Sequence, residues 1–122
     1  IIDDNPVNLK LVSEVLQFEG YKVAQAPDAE IAIETIKHLK PSVILMDIGL
    51  PGMDGLTLTK KLKANDETKN ICIIALTAFA MKGDYSKAIE AGCDGYISKP
   101  INTRILPKQI SEILESRAKL SD

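Results

Sequence analysis

Four short apolar runs in this chain each end in residues able to hold a metal ion or a phosphoryl group. Ile1-Ile2 leads into Asp3 and Asp4, and Val43-Ile44-Leu45-Met46 into Asp47. Ile73-Ile74-Ala75-Leu76 leads into Thr77, and Tyr96-Ile97-Ser98 into Lys99 and then Pro100. Carboxylates suit a hard divalent cation such as Mg²⁺, which takes oxygen ligands and keeps several waters. A lysine ammonium and a threonine hydroxyl suit the oxygens of a phosphoryl group. Asp47 has a second capacity, because a carboxylate can act as nucleophile and form an aspartyl phosphate.

Taken singly, each of these residues has an ordinary reading. Asp3 or Asp4 could cap the next helix, Asp47 could cap a loop, Thr77 could be a strand-end hydroxyl, and Lys99 could be a solvated lysine before a turn. Together they say more. In an open parallel α/β sheet, ligands bind outside the carboxyl ends of the strands, so residues far apart in sequence meet at one edge. Asp47 close to Asp3 and Asp4 would suffer like-charge repulsion of about 4 kcal/mol for charges about 4 Å apart at an effective dielectric of about 20. A divalent cation or Lys99 would offset it.

The elements that would place these residues alternate along the chain. Ile1-Ile2 reads as the stub of a first strand. Asn5-Pro6 opens a helix, with Asn as cap and Pro at the first helical position, and Val7, Leu11, Val15 and Phe18 recur at helical spacing. Gly20 ends that helix, and Tyr21 to Gln25 reads as a second strand. Pro27-Asp28 opens a second helix with the stripe Ala29, Ala32, Ile33 and Ile36. Val43 to Met46 is the uninterrupted apolar run of a central parallel strand buried on both faces. A turn-rich loop, IGLPGMDG, precedes a third helix from about Asp54 or Gly55 to Ala64, burying Leu58 and Leu62. Ile71 to Leu76 is the next strand. Met81, Tyr85 and Ala88 mark a fourth helix ending near Gly92. Gly95 to Ser98 is the fifth strand. Leu106, Ile110, Ile113 and Leu114 stripe the last helix, which Pro107 delays until after a tighter turn at 102–106. The order is (βα)5, the signature of a parallel sheet with helices on both faces.

Composition narrows the function classes. The chain has 122 residues, 45% hydrophobic and 26% charged, with a net charge of −2. That is one domain of ordinary soluble composition, with no bulk electrostatic case for nucleic acid or an anionic membrane. No apolar stretch approaches the roughly 20 residues of a spanning helix. The chain opens inside a strand-like segment, so the expectation is a fragment whose central strand begins several residues earlier, with no signal peptide and no second domain. Cys72 and Cys93 fit no metal or redox spacing and read as small buried thiols, consistent with a reducing cytoplasm. His38 reads as a solvated helix-end histidine.

The stretches IIDDNPVN, ILMDIGLPGMDG, IIALTAFA and GYISKPI, in that order, closely resemble the receiver domain of two-component response regulators. The resemblance covers essentially residues 1–122. LTAFAMKGD and AGCDGYISKPIN are similar to the single-domain, DivK-like group. It implies a doubly wound, flavodoxin-like sandwich whose five-stranded parallel sheet has the order 2-1-3-4-5. It implies that Asp47 receives a phosphoryl group from the phosphohistidine of a histidine kinase or histidine phosphotransfer protein. Asp4, Asp47 and the backbone carbonyl of Gly49 would ligate Mg²⁺, and Asp3 would orient metal-bound water. Thr77 and Lys99 would contact the phosphoryl oxygens. Tyr96, three residues before the lysine, would be the aromatic switch, turning inward as Thr77 moves and altering the surface of the fourth helix, fifth strand and fifth helix. A cis peptide at Lys99-Pro100 is implied too. So is a monomer or weak dimer in the cytoplasm that acts through a downstream protein target rather than as an enzyme.

Two side chains depart from the usual family pattern. Gly49, two positions after Asp47, has none to steer attacking water, and Phe79, two after Thr77, is apolar; both bear on the lifetime of an acyl phosphate. Other readings are weaker. The same domain could belong to a hybrid histidine kinase or to a regulator with an output domain. A flavin-binding electron carrier of this topology needs a hydroxyl- and Gly-rich phosphate loop where this chain has DDNPVN, whose acids would repel phosphate; it also lacks Trp and is only 4% aromatic. A metal-dependent phosphatase with an Asp nucleophile would want a second acid where Gly49 stands.

Overall fold

A computed structural model describes residues 1–49, 54–77 and 82–121, excluding the side chains of 82–85 and 118–121. The expectations at Phe79, Met81 and the Tyr85 side chain fall outside the described residues. The helices are α1 (Pro6–Phe18), α2 (Ala29–Leu39), α3 (Gly55–Ala64), α4 (Lys82–Ala91) and α5 (Leu106–Ser121). The strands are β1 (Val43–Asp47), β2 (Cys72–Thr77) and β3 (Gly95–Ser98).

β1, β2 and β3 form a parallel ladder in that order, with Val43 opposite Cys72 and Ile74 opposite Gly95. Ile2 extends it, bridging in parallel to Met46 on one side and to Ala26 on the other. Across the sheet the sequence is therefore Ala26, Ile2, β1, β2, β3, the 2-1-3-4-5 order expected of a doubly wound fold. The expected second strand is reduced to a bridge: Tyr21 to Gln25 is not strand, and the pairing there runs from Ile2 to Ala26, with Ile1 N donating to the Ala24 carbonyl at 3.0 Å and Ala26 N to the Ile1 carbonyl at 3.0 Å.

The caps are those the residue types dictate. Asn5 accepts backbone N–H bonds from Val7 and Asn8, Asp28 from Ile31, and Asp54 from Thr57, each satisfying a donor that the first helical turn leaves unpaired. Gly20, at φ +97°, turns the chain out of α1. The turn at 103–105 precedes α5, with Leu106 N bonding to Asn102 O, so Pro107 enters in the first turn where its missing N–H costs little.

The helices split the core in two. On one face of the sheet α2 and α3 bury Ala29, Ala32, Ile36, Leu58 and Leu62 against Ile2, Ile44, Met46 and Ile73. On the other, α1 and α5 bury Val12, Leu16, Leu106 and Ile110 against Leu45, Ile74, Leu76 and Ile97. β2 is buried along its whole length. The helix α1 turns a different stripe to the sheet from the one whose spacing marks it as a helix. Its buried residues are Leu9, Val12, Ser13 and Leu16, while Val7, Leu11 and Phe18 are exposed. The helix carries two apolar stripes, and periodicity alone does not say which one meets the sheet. Buried Ser13 is satisfied by Gln25, whose Nε2 donates to its Oγ at 2.8 Å.

At the amino ends of the strands, away from Asp47, Lys63 donates to Asp94 Oδ2 at 2.9 Å and to the carbonyl of Ile71 at 2.8 Å. Asp94 also accepts from Ile73 N, and Arg117 Nε lies 3.4 Å from its Oδ1. This partly buried network ties α3, β2, β3 and α5 together.

Candidate functional site

The sheet order brings the carboxyl ends of the Ile2 segment, β1, β2 and β3 side by side. Asp3, Asp4, Asp47, Thr77 and Lys99 thus share one edge. A carboxylate oxygen from each of Asp3, Asp4 and Asp47 lies within 4.8 Å of the others. Asp3 is fully buried and Asp47 nearly so, whereas Asp4 is exposed.

Each buried acid is held from two sides. Asp3 Oδ1 accepts the backbone N–H of Asn5 at 2.9 Å, and its Oδ2 accepts from Asn8 Nδ2 at 3.2 Å. Asp47 Oδ1 accepts the N–H of Gly49 at 2.9 Å. Lys99 reaches across the edge, its Nζ 3.4 Å from Asp3 Oδ2 and 3.2 Å from Asp47 Oδ2. Its backbone N–H donates to the Thr77 carbonyl at 2.7 Å, which continues the β2–β3 ladder and fixes where the lysine starts. The Lys99-Pro100 peptide is cis. Thr77 is buried at the end of β2.

The ionic balance points to a cation. Three carboxylates converge and one ammonium contacts two of them, leaving a local excess of two negative charges in a partly desolvated cleft. An oxygen-only donor set with one exposed member, Asp4, suits a divalent ion that keeps some of its waters. The acids after the first strand give a phosphate-binding flavin site no place at this helix start.

Two contributors escape sequence reading. Asn8 hydrogen-bonds Asp3 from the first turn of α1; the only hint is an amide five residues after an acid. Gly55 is the other. A Cβ there would lie 2.3 Å from the Asp47 carbonyl oxygen and 2.7 Å from Ile48 Cα. The start of α3 therefore packs directly on the backbone that carries Asp47, which only a residue without a side chain permits. At Gly49, by contrast, an added Cβ would make an ordinary 3.5 Å contact with Asp47 Oδ1, so the space does not demand glycine.

Tyr96 lies on β3 and is 38% exposed. Both cysteines are buried, and burial pushes the thiol pKa up in each. His38 is exposed, 3.9 Å from Glu34. Among the described residues no helix is long and apolar enough to cross a membrane.

Comparison with known proteins agrees with this geometry. The family model for the response regulator receiver domain matches residues 1–111. The polar-differentiation response regulator DivK of Brucella anthropi is 43% identical over 102 residues, 84% of this chain and 83% of that protein. Among solved structures, the chemotaxis response regulator CheY4 of Vibrio cholerae superposes with a TM-score of 0.87 at 27% identity, covering 92% of this chain and 93% of that one. The signal receiver domain of a histidine kinase from Syntrophus aciditrophicus gives 0.83 at 25% identity, covering 94% and 87%. Receiver domains are phosphoacceptor signalling modules that work with kinases and downstream targets and generally bind Mg²⁺ at an acidic pocket. The chain belongs to the response regulator receiver domain family.

Proposed function

We propose that Asp47 is the phosphoacceptor and that residues 1–122 act as one receiver domain of a phosphorelay. The observation that carries this reading is Lys99 held between Asp3 and Asp47 at the edge where Asp4 is open to solvent. An Asp47 carboxylate oxygen attacks the phosphorus of a phosphohistidine. The new P–O bond forms as the P–N bond breaks, and the donor imidazole leaves with the electron pair. Asp4, Asp47 and the Gly49 carbonyl would hold Mg²⁺, with Asp3 acting through its water; when bound, the ion supplies countercharge to the transferring phosphoryl oxygens.

Lys99 then exchanges a carboxylate partner for a phosphoryl oxygen, which a point charge on a flexible stem does readily. Thr77, at the end of the neighbouring strand, bonds another. The ring of Tyr96, half out in solvent here, turns inward as Thr77 moves, and the surface formed by α4, β3 and α5 changes its affinity for a downstream protein. The shift is limited by the difference in phosphoryl contacts between the two states. The protein is a phosphoacceptor rather than a turnover enzyme, and its donor is a histidine kinase or histidine phosphotransfer protein. The exposed apolar stripe Val7, Leu11 and Phe18 begins beside the site and offers the donor a contact.

Intact mass after incubation with acetyl phosphate, with and without Mg²⁺, tests the proposal. A gain of one phosphoryl group that needs Mg²⁺ and disappears in Asp47→Asn supports it. A gain that persists in Asp47→Asn refutes Asp47 as the acceptor.

A further inference from the structure

Asp3 is fully buried, and a carboxylate away from water is tolerated only while its oxygens are partnered. Its Oδ1 accepts the backbone N–H of Asn5 at 2.9 Å. Its Oδ2 faces two donors, Asn8 Nδ2 at 3.2 Å and Lys99 Nζ at 3.4 Å. Lys99 is shared with Asp47, 3.2 Å away, and phosphoryl transfer to Asp47 draws it from the acids to the new oxygens. Among the described residues, Asn8 is then the one side-chain donor left on Asp3.

We propose, resting on the reading of Asp47 as phosphoacceptor, that Asn8 is a positioning residue: it keeps Asp3 partnered and its carboxylate plane fixed while Lys99 moves to the phosphoryl group. An ionised carboxylate only accepts, so the amide nitrogen is the atom that faces it. Donors on both oxygens, Asn5 on Oδ1 and Asn8 on Oδ2, stop the carboxylate turning about its last bond. Its remaining lone pairs then keep one direction, as a group that orients metal-bound water must. The amide is itself held. Asn5 Oδ1 caps α1 by accepting the N–H groups of Val7 and Asn8 at 2.9 and 3.4 Å, and buried Val12 and Leu16 seat the helix on the sheet. A side chain on a seated helix is placed more precisely than one on a loop. The residue type suits the task as well. An ammonium or guanidinium here would bond Asp3 but repel the cation, whereas a neutral amide donates without adding charge. The helix has no need of it, since Asn is a weaker helix former than Leu, Met or Ala.

The test uses Asn8→Leu, which removes the donor and favours the helix, beside Asn8→Gln, which restores an amide on a longer stem. Acetyl phosphate serves as donor, so contacts with a partner protein play no part. At saturating Mg²⁺ the maximal rate of phosphorylation, followed by intact mass, should fall about tenfold in Asn8→Leu with the half-saturating donor concentration unchanged. Asn8→Gln should recover most of that loss. Without Mg²⁺, Asn8→Leu combined with Lys99→Met should lower the melting temperature by at least about 5 °C more than the sum of the two single shifts, because Asp3 Oδ2 then loses both donors. Additive shifts would overturn the proposal, as would a parent-like rate in Asn8→Leu or a loss that Asn8→Gln does not relieve. The acceptor reading is judged separately, on the parent and Asp47→Asn. Any of those results with the phosphoryl group on Asp47 removes the role of Asn8 alone, whereas a gain of mass that persists in Asp47→Asn counts against both.

Discussion

Replacing Lys99 by Met should move three observables in different directions. Lys99 Nζ lies 3.4 Å from Asp3 and 3.2 Å from Asp47. At an effective dielectric of about 20, each attraction is worth about 5 kcal/mol before desolvation is counted. The carboxylate oxygens of Asp3 and Asp47 lie within 4.8 Å of each other, a repulsion of about 3.5 kcal/mol on the same scale. With the lysine gone that repulsion stands alone. The lysine side chain is 20% exposed, and solvent admitted to the cleft recovers part of the loss, so we expect a net destabilisation of about 2–3 kcal/mol without Mg²⁺. For a domain of this size that lowers the melting temperature by about 10 °C. Mg²⁺ affinity should move the other way. The cation no longer competes with an ammonium, and its dissociation constant should fall at least about tenfold, about 1.4 kcal/mol. Saturating Mg²⁺ should then close most of the stability gap, while phosphorylation by acetyl phosphate falls sharply for want of a partner for the phosphoryl oxygen. Thermal melts over a Mg²⁺ titration, with mass-detected phosphorylation, read all three. Equal melting of parent and variant without Mg²⁺, or weaker Mg²⁺ binding by the variant, would refute the view of Lys99 as the counter-ion of this site.

Asp94→Asn should cost about 2–3 kcal/mol in denaturant unfolding, because it strips the Lys63 and Arg117 charges of their shared partner, yet leave phosphorylation intact. Gly55→Ala should destabilise by more than about 2 kcal/mol, since its Cβ would overlap the Asp47 carbonyl; an unchanged melt would contradict the close approach. Cys72 and Cys93 are buried with raised thiol pKa values, so iodoacetamide should label them only on unfolding.

What the sequence disclosed, and what it concealed, follows from how local each signal is. Caps and strand ends are local: Asn5, Asp28 and Asp54 declare themselves by residue type, and each caps the expected helix. The convergence of Asp3, Asp47 and Lys99 was also legible, because each ends a strand-like run and the carboxyl ends of parallel strands share one edge. Side-chain facing was not. Helix α1 has two apolar stripes, and of the one read from spacing Val7, Leu11 and Phe18 are exposed, since facing depends on how the helix sits on the sheet. Tyr21 to Gln25 had strand character, but a strand needs a partner, and the bridge to the Ile2 segment forms at Ala26. Gly55 and Asn8 were hidden for a related reason: their roles are distances to residues elsewhere in the chain, which no local pattern records.

The most direct test of the central claim is to phosphorylate the protein with Mg²⁺ and acetyl phosphate, reduce it with borohydride, and map the peptides by mass. Borohydride converts an acyl phosphate of aspartate to homoserine and leaves a phosphoester untouched. The account predicts homoserine at position 47, in phosphorylated protein only. Homoserine at position 3 or 4 instead, or phosphate surviving reduction on Thr77, would contradict it.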